Sequence, residues 1–179
     1  MRKLTLWILS LFLFFTVSSE VGAGKTATTS LSLKELVQRS EVVVVAQLTR
    51  RNHAMIEAGV PAGKDQKRKK VSVPIYRFGV SETLKGTLPG KALEAFDADE
   101  YLEAQIKKTP LLGEVLSGAV LTFPEGTAPS RAVVGRKYVV FLMPASDPRF
   151  RERWFFTAMK SLLPAKKKAE VLDAMKPGG

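Results

Sequence analysis

The chain contains no cysteine and only one histidine, His53, among its 179 residues. The lack of cysteine excludes disulfide frameworks, thiolate metal sites and cysteine nucleophiles, and a single histidine excludes a zinc site built from several histidines. No serine lies in a G-x-S-x-G elbow, and segment 86–91 lacks the residues of a phosphate-binding loop. We therefore expect no cofactor and no enzymatic activity.

Positive charge is the strongest compositional signal. Lysine and arginine number 28 against 17 aspartate and glutamate residues, a net charge of +11, while 45% of the residues are hydrophobic. That hydrophobic fraction is typical of a globular chain, and the length suits one domain with its own core.

The N-terminus has the pattern of a signal peptide. Arg2 and Lys3 precede an apolar run over 4–17, and 21–23 (VGA) offers a cleavage site after Ala23, with Ser19 as the second choice. The run is shorter than the roughly 20 residues that a spanning helix needs. An uncleaved anchor is the alternative interpretation.

Cleavage would leave a protein that is exported, periplasmic or secreted, with no transmembrane helix. Removing residues 1–23 leaves a single domain over 24–176 and a frayed tail at 177–179. The mature chain keeps a net charge of +10, because only Arg2, Lys3 and Glu20 are lost among the charged residues. The basic character therefore belongs to the folded domain.

Local patterns predict short strands with a few helices. Ser32 to Glu35 forms a capping box, which predicts a short helix from Leu33 that ends near Ser40. The run 42–46 (VVVVA) predicts a strand that is buried on both faces. Further strands are predicted at 71–84, 92–96, 119–123, 138–142 and 153–157, the last two as a hairpin, and further helices at 97–108 and from Pro164.

Three finer predictions follow from side-chain spacing. Segment 50–70 is predicted to be a long basic loop. In the strand that follows, Pro74 lies between two apolar sets, which predicts a bulge or an edge kink. The final helix is predicted to bury a stripe formed by Ala165, Ala169, Leu172 and Met175.

Three segments resemble the netrin-like domain of the tissue inhibitors of metalloproteinases: Ser40 to Ala46, Tyr76 through Gly86, and Gly135 to Phe141. The resemblance implies a mainly β fold with flanking helices, an OB-fold-like barrel of five to six strands. In those inhibitors an N-terminal cysteine binds the target's zinc. Here Gln38 occupies the position before the first strand where the family often has a cysteine, so no residue inherits that role.

Clusters of basic residues suggest the function. They comprise Arg50 and Arg51, Lys64 to Lys70, Arg149 with Arg151 and Arg153, and Lys166 to Lys168. Such clusters attract polyanions, although they also keep a protein soluble. We predict an exported, non-enzymatic binding or accessory module of the cell envelope that contacts an anionic polymer or lipid, and export makes nucleic acid a poor candidate. The predicted contact residues are Arg50, Arg51, Lys67, Arg68, Lys69 and Lys70.

Two other functions stay open at this point. The barrel loops could bind a protein partner, for example as a protease inhibitor. Alternatively, the chain is a hydrolase whose residues assemble only in the fold, with His53 near Asp97, Asp99 or Glu100. Helix capping explains that acidic cluster more simply than a metal site does.

Overall fold

β-Strands make up most of the regular structure in the described part of the chain. The computed structural model describes residues 28–58, 69–97, 120–144 and 153–176. Eight strands, two α-helices and two 3₁₀ turns lie within these ranges. In chain order they are β1 (Thr28–Ser30), α1 (Leu33–Arg39), β2 (Val42–Ala58), β3 (Lys69–Lys85), β4 (Ala92–Phe96), β5 (Val120–Thr122), a 3₁₀ turn (Pro129–Arg131), β6 (Lys137–Pro144), β7 (Trp154–Phe156), β8 (Leu162–Pro164), a second 3₁₀ turn (Ala165–Lys167) and α2 (Lys168–Met175).

Helix α1 begins with the expected capping box. The backbone N–H of Glu35 donates to Ser32 Oγ over 3.3 Å, and the backbone N–H of Ser32 donates to Glu35 Oε2 over 2.8 Å. The hydrogen bond from the Ser32 backbone lowers the pKa of the Glu35 carboxyl. The helix ends at Arg39 with Ser40 as its C-cap. The helix predicted from Leu33 to near Ser40 is confirmed.

Five strands close into a mixed barrel. The ring runs β2–β3–β4–β7–β6 and returns to β2, with β4 and β7 parallel and every other pair antiparallel. Strand β8 pairs with β6 outside this ring. The predicted fold class, mainly β with an OB-fold-like barrel and flanking helices, is confirmed. The predicted strand at 119–123 is present as β5, but it pairs in parallel with β1 in a separate two-stranded sheet.

The first half of β2 separates two cores. Val42 and Val44 point into the barrel beside Phe78 and Leu142, whereas Val43 contributes to a second cluster between the barrel wall and the two helices. All five residues from 42 to 46 are buried. A strand buried on both faces needs a continuous apolar run rather than an alternating one, so that prediction is confirmed.

The predicted basic loop over 50–70 is wrong at 50–58 and 69–70, which are strand, while 59–68 lie outside the described residues. Strand β2 continues to Ala58, and β3 begins at Lys69, so the two strands form a long hairpin. Alternate residues of this hairpin, among them Ile56 and Val73, are buried in a third apolar cluster. The basic residues that flank these short apolar sets, Arg50 and Arg51 in β2 and Lys69 and Lys70 in β3, hid this alternation.

The predicted irregularity at Pro74 is also absent from the β2–β3 ladder. Pro74 pairs in unbroken register with His53, and the register shifts occur elsewhere, at Val43/Val44, Val45/Ala46 and Leu48/Arg50. Strand β4 pairs with β3 only as far as Ile75. Pro74 thus lies beyond the three-stranded part of the sheet, where a missing N–H is tolerated.

The C-terminal segments follow the prediction only in part. The hairpin of 138–142 with 153–157 is confirmed, because β7 pairs antiparallel with β6. The final helix starts at Lys168 rather than at Pro164, because β8 and a 3₁₀ turn come first. A 3₁₀ turn advances about 120° per residue rather than about 100°, so the face that the helix buries is rotated.

The rotation changes which residues of α2 are buried. Val171 is fully buried and Met175 is partly buried, whereas Ala169 and Leu172 are exposed. The predicted stripe is therefore wrong at two of its four positions. The missed residue, Val171, is the one that anchors the helix.

Several predictions fall on residues outside the described ranges. They are the signal peptide over 1–23, the helix over 97–108 beyond Asp97, the tail over 177–179, and the predicted contact residues Lys67 and Arg68. Among the helices that the structure describes, none combines the length and the apolar character needed to cross a membrane.

Candidate functional site

Four charged side chains lie in line across four neighbouring strands of the barrel. The register places Arg50 of β2 opposite Arg77 of β3, and Arg77 opposite Glu94 of β4. Arg153, which directly precedes β7, brings its Nε within 3.6 Å of Glu94 Oε2. Because directly paired residues point to the same side of a sheet, the four side chains share the outer face of the barrel. We call this set the arginine row.

Arg50 and Arg77 form a like-charged pair. Both residues are exposed, and within the described ranges neither guanidinium makes a hydrogen bond or an ion pair to another side chain. Directly opposed like charges destabilise a sheet. An anion that bridges the two guanidinium groups would remove this repulsion, and arginine presents a planar fork of donors that matches carboxylate, sulfate or phosphate oxygens.

The acidic member of the row is directed away from this pair. Glu94 makes its ion pair with Arg153, whose guanidinium also lies 5.3 Å from the centroid of the Phe96 ring. Phe96 is fully buried and packs against Phe155. The stacking fixes Arg153 at the β7 end of the row and keeps Glu94 near it, so the β2–β3 end carries the unbalanced positive charge.

A surface with few projecting side-chain atoms adjoins the arginine row. The next outward-facing positions on β2, β3 and β4 are Gln47, Gly79 and Ala92, which are paired in register. Because glycine has no side chain and alanine has only a methyl group, almost no side-chain atoms project from the centre of this surface. Space exists above the glycine, because a Cβ at Gly79 would meet only the Thr49 side chain, at 3.5 Å. A flat polymer or headgroup could therefore lie close to the backbone beside Arg77.

The lysine run 166–168 borders the same face but is partly neutralised. Lys168 Nζ lies 2.6 Å from Glu82 Oε2 on β3, and Lys167 Nζ donates to Glu170 Oε2 over 2.9 Å. That hydrogen bond raises the pKa of Lys167, which keeps its charge in the ion pair. Lys166 is exposed on the intervening 3₁₀ turn. The run therefore adds less positive charge to the face than its sequence indicates.

Two of the predicted contact residues, Arg50 and Arg51, point to opposite sides of β2. Arg50 belongs to the arginine row. Arg51 points to the opposite side of β2, where its guanidinium lies 5.9 Å from the centroid of the Tyr76 ring and donates to the Pro129 carbonyl over 3.3 Å. Lys70 is exposed on β3, in register with Glu57. Lys69 pairs through its backbone with Ala58, and Lys67 and Arg68 lie outside the described ranges, so a surface of all six residues stays a prediction.

Catalytic and metal-binding alternatives gain no support from the described residues. His53 is exposed in β2 opposite Pro74, whose ring offers no group for proton transfer. Asp99 and Glu100 lie outside the described ranges. Within those ranges no group of three or more His, Asp or Glu side chains is placed to hold a metal ion.

Two members of the arginine row, Arg77 and Glu94, were not among the contact residues predicted from the sequence. The available signal was alternation: Arg77 lies between Tyr76 and Phe78, two aromatic residues that face the barrel core, so it must point outward. Its pairing with Arg50 depends on the register. Thr49 is an extra residue in β2 at the shift between Leu48 and Arg50, and a register without it would change Arg77's partner.

Comparisons with known proteins assign no family. A scan against protein-family models finds no match to this chain, and a search of curated proteins finds none either. Its class is therefore defined by architecture: an OB-fold-like barrel that carries a row of arginines on its outer face.

Proposed function

We propose that this chain is an exported, non-enzymatic binding module that contacts anionic polymers or lipid surfaces of the cell envelope. The observation that carries the proposal is the directly opposed pair Arg50 and Arg77, exposed and without an acidic side-chain partner within the described ranges. Each arginine that neutralises an anionic group releases condensed counterions, which favours binding at low salt.

The position of Arg77, the member of the pair on β3, supports this proposal. Strands β3 and β4 are the second and third strands of the barrel, and in OB folds this face and the loops beside it hold extended ligands such as oligosaccharides. The argument is an analogy at the level of the fold, so it supports the place of binding rather than the ligand. The open surface formed by Gln47, Gly79 and Ala92 gives an extended ligand room beside the arginines.

Export and family membership belong to the same proposal. The charged start, the apolar run and the small residues over 1–23 support export. The OB-type strand order agrees with the netrin-like resemblance, and we propose that the chain is a cysteine-free relative of those domains. Without the N-terminal cysteine, the inhibitory chemistry of the tissue inhibitors is not part of the proposal.

Binding to dextran sulfate and to phosphatidylglycerol vesicles at increasing salt tests the proposed face. We expect steep salt dependence for the protein cleaved at Ala23. In Arg50→Gln/Arg77→Gln, the slope of log affinity against log salt should fall by about two, roughly one for each lost contact. Both side chains are exposed, so circular dichroism should show an unchanged fold.

Arg131→Gln/Arg136→Gln is the matched control, because it removes two exposed arginines of the segment before β6. This variant should keep the slope of the parent protein. An equal loss in the control pair would mean that net charge alone drives binding, and negligible binding of the parent at low salt would reject the proposed function.

A further inference from the structure

A second row of residues lies beside the arginine row on the outer face of the barrel. The register pairs Gln47 of β2 with both Lys137 of β6 and Gly79 of β3, and it pairs Gly79 with Ala92 of β4. Directly paired residues point to the same side of a sheet, so these four share one face. We call them the glutamine row. On β3, Gly79 is two residues from Arg77, roughly 6.6 Å along the strand, so one ligand can touch both rows.

The two rows together carry three cations without an acidic partner. Arg50, Arg77 and Lys137 are exposed, and within the described ranges none of their side chains makes a hydrogen bond or an ion pair. The carboxylates that β3 and β4 place on the same face, Glu82 and Glu94, are each ion-paired with a cation from another part of the chain. The three cations are therefore available to an anionic ligand.

The side chain of Gln47 is held in one orientation. Its Nε2 donates to the carbonyl oxygen of Gly135 over 2.6 Å. A carbonyl oxygen can only accept, so the amide nitrogen must face Gly135 and the amide oxygen, Oε1, faces away from it. Gln47 is exposed, and within the described ranges Oε1 has no partner. The surface thus presents an oriented acceptor between Lys137 and the open space above Gly79.

This acceptor distinguishes among anionic ligands. A ligand that covers the glutamine row removes water from Gln47 Oε1, and it loses affinity unless it supplies a hydrogen-bond donor. Sugar hydroxyl groups are donors, whereas a chain of phosphates or of simple carboxylates carries none. The two rows also contain no large apolar side chain, although surfaces that lie on a membrane insert such side chains into the lipid.

We propose that the surface formed by both rows binds an acidic polysaccharide, with anionic groups of the sugars at the three cations and one sugar hydroxyl donating to Gln47 Oε1. The site is that of the proposed function, on which this inference rests, and its ligand is narrowed from anionic polymers and lipids to one class. Gly79 leaves the backbone open between the acceptor and the arginines, so a sugar ring has room to lie flat there.

Titration calorimetry at low salt with a short oligogalacturonate, in which every sugar carries a carboxylate and free hydroxyls, measures this binding. Gln47→Met keeps the length of the side chain but removes the acceptor, so we expect about three- to tenfold weaker binding, the usual effect of one hydrogen bond. Polyacrylate of similar length, which has carboxylates but no hydroxyls, should bind this variant no more weakly than the parent. Gln38→Met is the matched control, because Gln38 is exposed on α1, and it should bind both ligands as the parent does.

The salt dependence of oligogalacturonate binding tests the third cation. Lys137→Gln should lower the slope of log affinity against log salt by about one, because one contact between charges is lost. Arg131→Gln removes an exposed arginine outside both rows and should keep the slope of the parent. An unchanged slope in Lys137→Gln would contradict a surface that extends to β6.

Two results would overturn the inference and leave the proposed function standing. One is a parent protein that binds phosphatidylglycerol vesicles through Arg50 and Arg77 but does not bind oligogalacturonate, which would make lipid the ligand. The other is an equal loss of polyacrylate binding in Gln47→Met, or of oligogalacturonate binding in Gln38→Met. Binding of the parent to none of these anions would reject both proposals.

A modified ligand keeps the test valid if circular dichroism shows that Gln47→Met is misfolded. Oligogalacturonate with acetylated hydroxyls keeps its carboxylates but has no hydroxyl donor. It should bind the parent protein several-fold more weakly than the free form, and equal binding of the two forms would overturn the inference.

Discussion

At the scale of single residues, three loop glycines differ in two properties: the sign of the φ angle and the space available for a Cβ atom. Gly86 has φ of +77°, and a Cβ there would collide with the carbonyl oxygen of Glu41. Gly135 has φ of +88° but open space around it. Gly90 has open space and no positive φ. The three positions therefore differ in how much an added methyl group must disturb.

Alanine at each glycine should give a graded loss of stability. We expect Gly90→Ala to change the free energy of unfolding by less than about 1 kcal/mol, since it only reduces the freedom of the unfolded chain. Gly135→Ala should cost about 1–2 kcal/mol for its left-handed backbone. Gly86→Ala should cost more than either, because the collision is added to the same strain. Urea unfolding measures all three, and equal stability of the Gly86 and Gly90 variants would contradict this account.

At the scale of the element, α2 depends on a residue that the sequence pattern did not indicate. Val171 is fully buried in the cluster that also contains Leu36 of α1, whereas its neighbour Leu172 is 39% exposed. The 3₁₀ turn before α2 sets this orientation. The smaller side chain thus contributes more to stability than the larger one beside it.

Alanine substitutions at Val171 and Leu172 should show that the smaller side chain contributes more to stability. Val171→Ala removes two buried methyl groups and leaves a cavity, so we expect a loss of about 1.5–3 kcal/mol in the free energy of unfolding. Leu172→Ala should change it by no more than about 0.5 kcal/mol, as is usual for a surface position. Thermal unfolding followed by circular dichroism compares the two. A larger effect at Leu172 would favour the stripe predicted from the sequence over the observed one.

At the scale of the whole molecule, the barrel closes through its shortest ladder. Strands β4 and β7 pair in parallel through only two residue pairs, Ala95 with Trp154 and Phe96 with Phe155. The β2–β6 ladder contains six pairs and the β2–β3 ladder fifteen. The parallel ladder is therefore the weakest part of the ring, although Arg153 and Glu94 reinforce its end.

Amide hydrogen exchange should find this weak point. We expect the amides of β4 and β7 that form the parallel ladder to exchange through local opening, at a lower free energy than those of Val43 to Val45 in β2. Mass spectrometry of timed exchange under native conditions measures the difference. Uniform protection around the ring would mean that the parallel ladder opens only with the whole barrel.

An element of the fold could be predicted from the sequence where the interactions that determine it lie within the element itself. The capping box of α1 and the apolar run of β2 contain their own signals, and both predictions are confirmed. Strand β8 has three residues and owes its place to the neighbouring β6, so no local pattern could indicate it. The end of β2 was missed because its apolar alternation, Ala54 and Ile56, is short and follows the consecutive Arg50 and Arg51, which are typical of a charged loop.

The candidate site was predicted only in part, for the same reason. The charge of Arg50 is visible in the sequence, but its partner Arg77 lies on another strand, and only the extra residue Thr49 brings them into register. Arg51 is directed away from the arginine row by its contact with the Tyr76 ring and by its hydrogen bond to the Pro129 carbonyl. Long-range register and tertiary contacts therefore decide which cations face the same way.

The division of β2 between two cores has a consequence for cooperativity. Because Val44 lies in one cluster and Val43 in the other on a single backbone, melting of either cluster removes packing from a strand that the other cluster also needs. A chain without disulfides gains its resistance to partial unfolding from this shared strand rather than from covalent links. Loss of packing beneath the helices should therefore be transmitted to the barrel interior, and the domain should unfold as one unit.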